Sequence, residues 1–408
     1  MMNALNNKWK GKALLFLVSQ SITLFGSALV QMAVVWYVTV HTSSGAWVAA
    51  FTICAYMPQF LFSFVSGVWA DRYNRKLLII AADAGIAVTT LAMWIAMPYI
   101  THEPVLLSAL LTMSLIRSLG AGIQSPAVSA IIPQIVPADQ LLRYNGINAT
   151  MQSAVQFTAP AAAGAILTVA SMRSALFVDV ATAMAGIGLL ACIAVPTHQV
   201  SSGKESLFND MKVGIRYSFT DKLLCKLLIL FGLFIFLSVP GPFLAKLYVS
   251  RTYGEAYWYL TAIEVIGFVG MALGGVFIST WGGFKNRERT LLTGIFLFGI
   301  LEIVMGLSKS FILYLLIMLL YGIAVTMTQT ATTTIIQEQA ETSMQGRVFG
   351  LFGSLYSGVL PIGMAVFGPL ADRIALRLIL IGSGGALVLA ACILSFFCFP
   401  TPAVSENA

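Results

Sequence analysis

Hydrophobic stretches long enough to span a membrane recur along nearly the whole chain, separated by short loops that carry most of its charge. Crossing the apolar layer of a bilayer takes about 20 helical residues, and stretches such as 14–40, 47–70 and 77–100 meet that length. Charged residues make up only 10% of the 408 residues, and the mean hydropathy is +0.88. Soluble domains have about 25% charged residues, so this composition excludes a soluble protein.

The hydrophobic segments predict an all-α polytopic membrane protein with twelve transmembrane helices. Backbone groups in lipid must be satisfied internally, so each span is a helix unless the spans close into a barrel. The short alternating segments typical of barrel strands do not occur. The basic start and the lack of a small-residue cleavage site predict that the first span is retained. The predicted spans are 13–39, 46–70, 77–99, 105–131, 147–169, 175–195, 223–245, 257–281, 290–307, 311–335, 348–370 and 378–399.

The distribution of Lys and Arg predicts that both termini lie in the cytoplasm. With that orientation, 16 basic residues lie in inner segments and six, including Lys246, lie in outer segments. Arg117 is the one basic residue inside a predicted span. This asymmetry follows the positive-inside rule. Topology and contact with anionic headgroups therefore explain the net charge of +7, and no nucleic-acid partner is predicted.

The longest interior polar stretch divides the chain at its centre. Six predicted spans lie on each side, which gives an N-terminal half at 1–196, a cytoplasmic linker at 197–222 and a C-terminal half at 223–408. The loops before the fifth span of each half share an Arg and a Gly three residues apart: Arg143 and Gly146, Arg347 and Gly350. This shared position indicates duplication, which predicts two pseudo-symmetric six-helix halves.

Two six-helix halves are typical of secondary transporters, with a substrate site near mid-membrane. No P-loop of the form G-x-x-x-x-G-K-[ST] occurs, so no hydrolysis of nucleotide is predicted. The five cysteines and three histidines form no zinc or disulfide pattern, and neither a metal nor a cofactor is predicted. The chain is therefore predicted to be a transporter and not an enzyme.

A charged motif follows the second predicted span. Residues 67–76 read Gly-Val-Trp-Ala-Asp-Arg-Tyr-Asn-Arg-Lys, which resembles the signature loop G-x-x-x-D-R-x-x-R-K of the major facilitator superfamily. The resemblance implies a latch whose charges part and meet again as the halves move. A basic loop that only sets topology is the alternative. The residues of this latch motif are Gly67, Asp71, Arg72, Arg75 and Lys76.

Two shorter motifs extend the resemblance. Residues 117–122 read Arg-Ser-Leu-Gly-Ala-Gly, similar to the family pattern R-x-x-x-G with its glycines displaced. Residues 159–164 read Ala-Pro-Ala-Ala-Ala-Gly, similar to the G-P-x-x-G-G pattern associated with antiporters. Pro160 and Gly164 match this helix-five motif, while two of its glycines are alanines. A proline kink with small residues for helix packing is the alternative.

Along its whole length the chain resembles the macrolide-efflux branch of this superfamily. Short segments at 27–33, 125–127, 346–349 and 371–373 add to the motifs above. The resemblance implies a monomeric exporter of the bacterial inner membrane that exchanges protons for a large lipophilic drug such as a macrolide. It also implies a separate ABC-type resistance protein as a partner. The alternatives are an exporter of an endogenous metabolite such as a siderophore, and a scaffold or sensor that does not transport.

Five ionisable residues lie inside predicted spans, where each costs about 3 kcal/mol without a partner. In the fold that the resemblance implies, the first and fourth helices of each half line the cavity and the second and fifth form the interface. Glu264, on an interface helix, is the leading proton carrier, because burial in an apolar layer favours the neutral carboxyl. A position that reaches outer water is its alternative. Further candidates, for which helix bracing is the alternative, are Asp83, Asp179 and Glu302.

The cavity helices supply amides, aromatic rings and Met residues, which suit a large amphipathic ligand. Arg117 is predicted to bind substrate or to tune a neighbouring acid. Its alternatives are a structural pair with Asp83 and a hydrogen bond to a nearby glutamine. Ordinary helix packing is the alternative for the others. The cavity candidates are Arg117, Gln20, Gln31, Trp36, Phe234 and Gln329.

Overall fold

The computed structural model describes residues 2–137, 140–193, 216–341 and 344–397, and over these residues the chain is helical with no strand. A short 3₁₀ turn, Met97–Tyr99, follows the third helix. The helices are α1 Met2–Thr42, α2 Gly45–Arg72, α3 Arg75–Ala96, α4 Glu103–Ile135, α5 Leu141–Val169, α6 Met172–Ala191, α7 Lys222–Ser238, α8 Pro240–Phe243, α9 Ala245–Tyr253, α10 Tyr257–Trp281, α11 Arg287–Leu307, α12 Phe311–Gln339, α13 Gln345–Arg373 and α14 Leu376–Phe397.

Eleven helical segments in the described part of the chain are long and apolar enough to cross a membrane, with α7 to α9 forming one of them. The remaining long helix is α5, with 29 residues. The predicted all-α polytopic class is therefore confirmed.

The chain forms two compact units. The first unit contains Met1–Ser43, Trp47–Lys204 and Glu255–Thr261, and so holds α1 to α6 with the first turn of α10. The second unit contains Ser44–Ala46, Glu205–Gly254 and Ala262–Ala408. Most of the predicted linker at 197–222 lies outside the described residues.

Small residues allow close helix packing in the first unit, where α1 packs against α5 and α6, and α3 packs against α4 and α6. A Cβ added to Gly26 would collide with Thr182, and one added to Gly186 would collide with Thr23. The Ser19 hydroxyl donates to the Gly186 carbonyl at 2.9 Å. Close contacts of this kind stabilise helix pairs in membranes.

Small residues also allow close helix packing in the second unit, where α11 packs against α12 and α14. Gly299 of α11 and Gly384 of α14 face each other. A Cβ on Gly299 would lie 2.7 Å from the Gly384 carbonyl oxygen, and the reverse distance would be 2.5 Å. Any larger residue at either position would therefore push the two helices apart.

The seventh span is longer than predicted and is broken by prolines. Pro240 and Pro242 lack N–H groups and interrupt the helical ladder after α7, yet the chain stays helical to Tyr253. The predicted span ended at 245 and placed Lys246 in an outer segment, whereas in the structure Lys246 belongs to α9 and is 9% exposed. Its Nζ lies 2.7 Å from Glu264 Oε1, and this partner explains how a lysine is tolerated there.

Candidate functional site

The first unit contains a cavity of about 390 Å³, a size typical of small-molecule sites. Its lining comes mainly from α1, α2, α4 and α5. Apolar side chains alternate there with amides and hydroxyls. The polar lining includes Gln20, Gln31, Arg117, Ser118, Gln124 and Gln152.

Three of the predicted cavity residues line this cavity, namely Gln20, Gln31 and Arg117. Among the described residues, the buried amide nitrogen of Gln20 has no hydrogen-bond partner. Trp36 is fully buried and does not line the cavity. The other two predicted residues belong to the second unit, where Phe234 is buried and Gln329 is exposed.

Arg117 of α4 connects the cavity to a buried acid. Its guanidinium donates to the Asp179 carboxylate on α6 and to the Thr90 hydroxyl on α3. The Thr90 hydroxyl also lies 2.9 Å from Asp179 Oδ2. The alternative that paired Arg117 with Asp83 is wrong, because α6 packs against α3 and brings Asp179 level with Thr90. Asp179 is 1% exposed and Arg117 9%, so water hardly screens this ion pair.

A second polar contact joins α3 and α4. The Gln124 side-chain amide donates to Asp83 Oδ1 at 2.7 Å. Asp83 is 1% exposed, and its Oδ2 has no hydrogen-bond partner among the described residues. Asp83 is seven residues from Thr90, as Gln124 is from Arg117, so the two contacts lie on the same helix faces. Gln124 also lines the cavity, and it therefore separates Asp83 from the cavity.

The glycines of the motif at 117–122 fit α4 between its neighbours. A Cβ on Gly120 would lie 2.6 Å from Ile86 of α3, and one on Gly122 would lie 2.9 Å from the Gln59 carbonyl oxygen of α2. Gly120 lies between the two polar contacts, and its missing side chain keeps α3 and α4 close enough to make both.

The Ser118 hydroxyl bridges two backbone groups of α2 next to a proline. Pro58 lies inside α2 and cannot donate to the helical ladder. The Gln59 N–H donates to the Ser118 hydroxyl at 3.0 Å, and that hydroxyl donates to the Ala55 carbonyl at 2.7 Å. Gln59 and Ala55 are the pair that a regular helix would bond directly. Ser118 therefore satisfies two backbone groups that the proline leaves without their regular helical bond.

Ser118→Ala is expected to lower the free energy of unfolding by about 1–3 kcal/mol, because it leaves buried backbone groups without partners. Thermal unfolding of the purified protein in detergent measures the loss. Ser129→Ala is the matched control, since among the described residues the Ser129 hydroxyl bonds the Ser125 carbonyl of its own helix and no other helix. Equal melting temperatures for the two variants would contradict the bridging role of Ser118.

The sequence predicted a loop at the latch motif, whereas in the structure the motif spans the end of α2, a short turn at Tyr73 and Asn74, and the start of α3. Gly67, Asp71 and Arg72 lie in α2, and the description of the structure does not extend to their side chains. Arg75 and Lys76 begin α3. The Arg75 guanidinium donates to the Ala130 carbonyl of α4 at 2.7 Å. The Lys76 ammonium donates to the Ala191 and Ile193 carbonyls at the end of α6, both at 2.7 Å. These bonds place the two cations at helix carbonyls.

The helix-five motif makes a close helix contact. Pro160 and Gly164 lie in α5. A Cβ on Gly164 would collide with the side chain of Thr261, which lies near the start of α10 and belongs to the first unit. The flanking Ala159 and Ala163 are fully buried. Small side chains at this motif therefore bring α5 against the first turn of α10.

The two acids of the second unit have different partners. Glu264 of α10 pairs with Lys246. Glu302 of α11 is fully buried, and its Oε1 accepts from the Ser383 hydroxyl at 3.1 Å. Its Oε2 and the Tyr314 and Tyr321 hydroxyls have no hydrogen-bond partners among the described residues. Glu302 therefore has no cation partner among the described residues, whereas Glu264 has one.

Asp372, in the segment at 371–373, caps a helix. Its carboxylate accepts from the Ser44 hydroxyl and from the N–H groups of Gly45 and Ala46 at 2.7–2.9 Å. Arg251 also donates to it at 2.8 Å. All five residues belong to the second unit. A carboxylate in this position satisfies N–H groups at the start of a helix that would otherwise have no partner.

Sequence reasoning missed several residues that complete these clusters. Thr90 could have been found, since it follows Asp83 by seven residues and shares its helix face. Lys246 was missed because the predicted seventh span ended at 245, directly before this lysine. Ser118 and Ser383 carry no sequence signal, because a serine that bonds another helix looks the same in sequence as one that bonds its own.

Comparison with known proteins assigns the chain to a family. A family model described as the Major Facilitator Superfamily matches residues 14–364. The chain belongs to the Major Facilitator Superfamily. It is therefore a multi-pass membrane transporter and not an enzyme.

Two relatives in this superfamily are drug exporters by name. The chain is 27% identical to Macrolide efflux protein A of Streptococcus pyogenes over 380 residues, which cover 91% of this chain and 92% of the relative. It is 20% identical to the Multidrug efflux pump Tap of Mycolicibacterium fortuitum over 384 residues, which cover 91% and 92% of the two chains. The sequence relatives thus include macrolide and multidrug efflux proteins.

Solved structures confirm the fold. A mutant of the nucleoside transporter NupG matches with a TM-score of 0.72 at 13% identity, covering 94% of this chain and 98% of that chain. An inward-facing bacterial homologue of the iron transporter ferroportin matches with a TM-score of 0.71 at 16% identity, with the same coverage. At such identities the likeness shows the fold alone.

Proposed function

We propose that this transporter exports a large lipophilic drug, with macrolides as the leading substrate class, in exchange for protons. Similarity to Macrolide efflux protein A over 91% of the chain supports the substrate class. The observation that carries the proposal is the cavity of the first unit, where two lining residues, Arg117 and Gln124, each hydrogen-bond a buried acid. Drug binding and proton binding then share neighbouring side chains.

The cavity lining suits such a drug. Apolar side chains, including Leu24, Phe51 and Met113, would cover the lipophilic surface of a ligand. The amides of Gln20 and Gln31 would bind its carbonyl or hydroxyl groups. A methionine side chain adapts its shape to different ligands, which fits an exporter that accepts several related compounds.

The four candidate acids differ in whether a cation lies beside them. Asp179 forms an ion pair with Arg117, and Glu264 forms one with Lys246. None of the ion pairs among the described residues involves Asp83 or Glu302. A buried carboxylate without a cation has a charge that nothing nearby compensates, so Asp83 and Glu302 are the two acids that a proton would relieve.

Asp83 is the proton carrier that we propose, because it also contacts a cavity residue. Glu264, which the sequence favoured, becomes the first alternative, since a proton on it would release Lys246. Glu302 is a second alternative within its own buried cluster. We propose that Asp179 holds Arg117 in place and helps to join α3, α4 and α6.

Alternating access completes the proposal. A monomer in the bacterial cytoplasmic membrane, with both termini in the cytoplasm, would load drug from inside and release it outside. The pH gradient and the membrane potential, worth about 2.3 kcal/mol per charge per 100 mV, would drive the exchange. The latch motif would stabilise either the state open to the cytoplasm or the state open to the outside. The family resemblance also suggests a separate ABC-type resistance protein as a partner.

A resistance panel tests the proposed function. Expression in a bacterial strain lacking its own drug pumps is expected to raise the inhibitory concentration of erythromycin, a macrolide, and to lower drug accumulation until an uncoupler is added. The inactive reference is the same strain with the empty vector. Export of a siderophore without macrolide resistance would favour the metabolite alternative. No change in accumulation of any compound would favour a scaffold.

A further inference from the structure

Gln124 is the side chain that touches both the cavity and the proposed proton carrier. It lines the cavity from α4, and its amide bonds Asp83 Oδ1 at 2.7 Å. From this contact we infer that Gln124 is a protonation switch: its amide turns over when Asp83 gains a proton, and it then presents an N–H donor instead of a carbonyl acceptor to the drug. This inference rests on the proposed function and adds its coupling step.

The chemistry of the two groups makes the switch a consequence of protonation. A charged carboxylate only accepts hydrogen bonds, so it holds the NH₂ group of Gln124. The carbonyl oxygen of the amide is then left for the cavity. A protonated Asp83 carries an O–H donor and binds the Gln124 carbonyl oxygen, which leaves the NH₂ group for the cavity. The same heavy-atom positions suit both orientations of the amide.

Asp83 has no cation partner among the described residues, unlike the nearest acid on the helices packed against it. Asp179 of α6 is the nearest acid that faces it, and Arg117 of α4 neutralises that acid. On its own helix, Arg75 and Lys76 lie roughly 10–12 Å away along the axis and bond carbonyls of α4 and α6. The remaining charges on α4 and α6 are near their outer ends, at Glu103 and Arg173.

The burial of Asp83 also supports the switch. Asp83 is 1% exposed, and its second carboxylate oxygen has no hydrogen-bond partner among the described residues. A proton would therefore neutralise a carboxylate that has a single neutral partner. Gln124 is the contact through which this change would reach the cavity, because Asp83 itself does not line it.

The switch gives a direction to the exchange. With Asp83 charged, the cavity offers the Gln124 carbonyl as an acceptor for the hydroxyl and ammonium groups of a macrolide. With Asp83 protonated, the same position offers a donor, which the ammonium group of the drug cannot accept. The proton moves from water to Asp83 Oδ2 and later returns to water, with no other bond formed or broken. Proton uptake thus favours drug release, as antiport requires.

Equilibrium binding of erythromycin to the full-length transporter in lipid nanodiscs tests the inference. Wild-type affinity is expected to fall about tenfold as the pH is lowered and Asp83 gains its proton, which corresponds to the loss of about one hydrogen bond. Gln124→Met keeps the side-chain length and removes the amide, so its affinity is expected to be independent of pH. Gln31→Met is the matched control, because it removes another cavity amide and should retain the pH dependence.

Asp83→Asn provides a second test, independent of how well Gln124→Met folds, since an asparagine cannot titrate. Its erythromycin affinity is also expected to be independent of pH. Retention of the wild-type pH dependence by either Gln124→Met or Asp83→Asn would overturn the switch while leaving macrolide export intact. Absence of erythromycin binding and export by the wild type would instead overturn the proposed function.

Discussion

Arg117→Met is expected to cost about 3–5 kcal/mol in the free energy of unfolding, because it leaves a buried carboxylate without its cation. Asp179 is 1% exposed and would keep only the Thr90 hydroxyl as a described side-chain donor. We also expect a lower yield of monodisperse protein, since α3, α4 and α6 lose their common polar contact. Thermal unfolding in detergent, followed by size-exclusion chromatography, measures both effects.

The double variant Arg117→Met with Asp179→Leu is the matched control. It removes both charges together, and replacing a whole buried ion pair with apolar side chains is often nearly neutral for stability. Most of the lost stability should therefore return. A double variant as unstable as Arg117→Met alone would show that the Arg117 side chain, and not the unpaired Asp179, accounts for the loss.

Asp83→Asn is expected to abolish export of erythromycin against a gradient, because it deletes the proton that drives the cycle while keeping the size of the side chain. Folding should change little, since the asparagine can still bond Gln124. Drug efflux from preloaded cells, with and without an uncoupler, measures the effect. The residual efflux of the variant should be insensitive to the uncoupler.

Glu264→Gln is the informative comparison for this prediction. It leaves Lys246 with a neutral partner, and we expect weaker stability but continued uphill export. If Glu264→Gln abolished uphill export while Asp83→Asn pumped normally, the proton carrier would be Glu264, as the sequence suggested. If neither variant mattered, coupling through these acids would be wrong.

The helices were predictable from the sequence because a bilayer demands long apolar segments. The second and third predicted spans, at 46–70 and 77–99, closely match Gly45–Arg72 and Arg75–Ala96. The seventh span was predicted too short for a physical reason. A lysine usually lies outside a span, so the predicted span ended at 245, whereas here the helix resumes at α9 and Lys246 pairs with Glu264.

The site was predictable only in part. Arg117 and the buried acids stand out in sequence, because charges inside spans are rare. Their pairing depends on which helices pack together, and the packing of α6 against α3 decides that Arg117 meets Asp179. The role of Gln124 also needed the structure, since its contact with Asp83 depends on the close approach of two helices at Gly120.

Proton movement coupled to drug movement in reconstituted liposomes tests the central claim most directly. Liposomes containing the purified transporter, with an acidic lumen and a pH-sensitive dye inside, would receive erythromycin from outside. Protein-free liposomes correct for passive trapping of the basic drug. The account predicts that drug accumulates inside while the lumen loses protons faster, and that Asp83→Asn abolishes both effects. Drug accumulation without faster proton loss, or identical fluxes in Asp83→Asn, would contradict it.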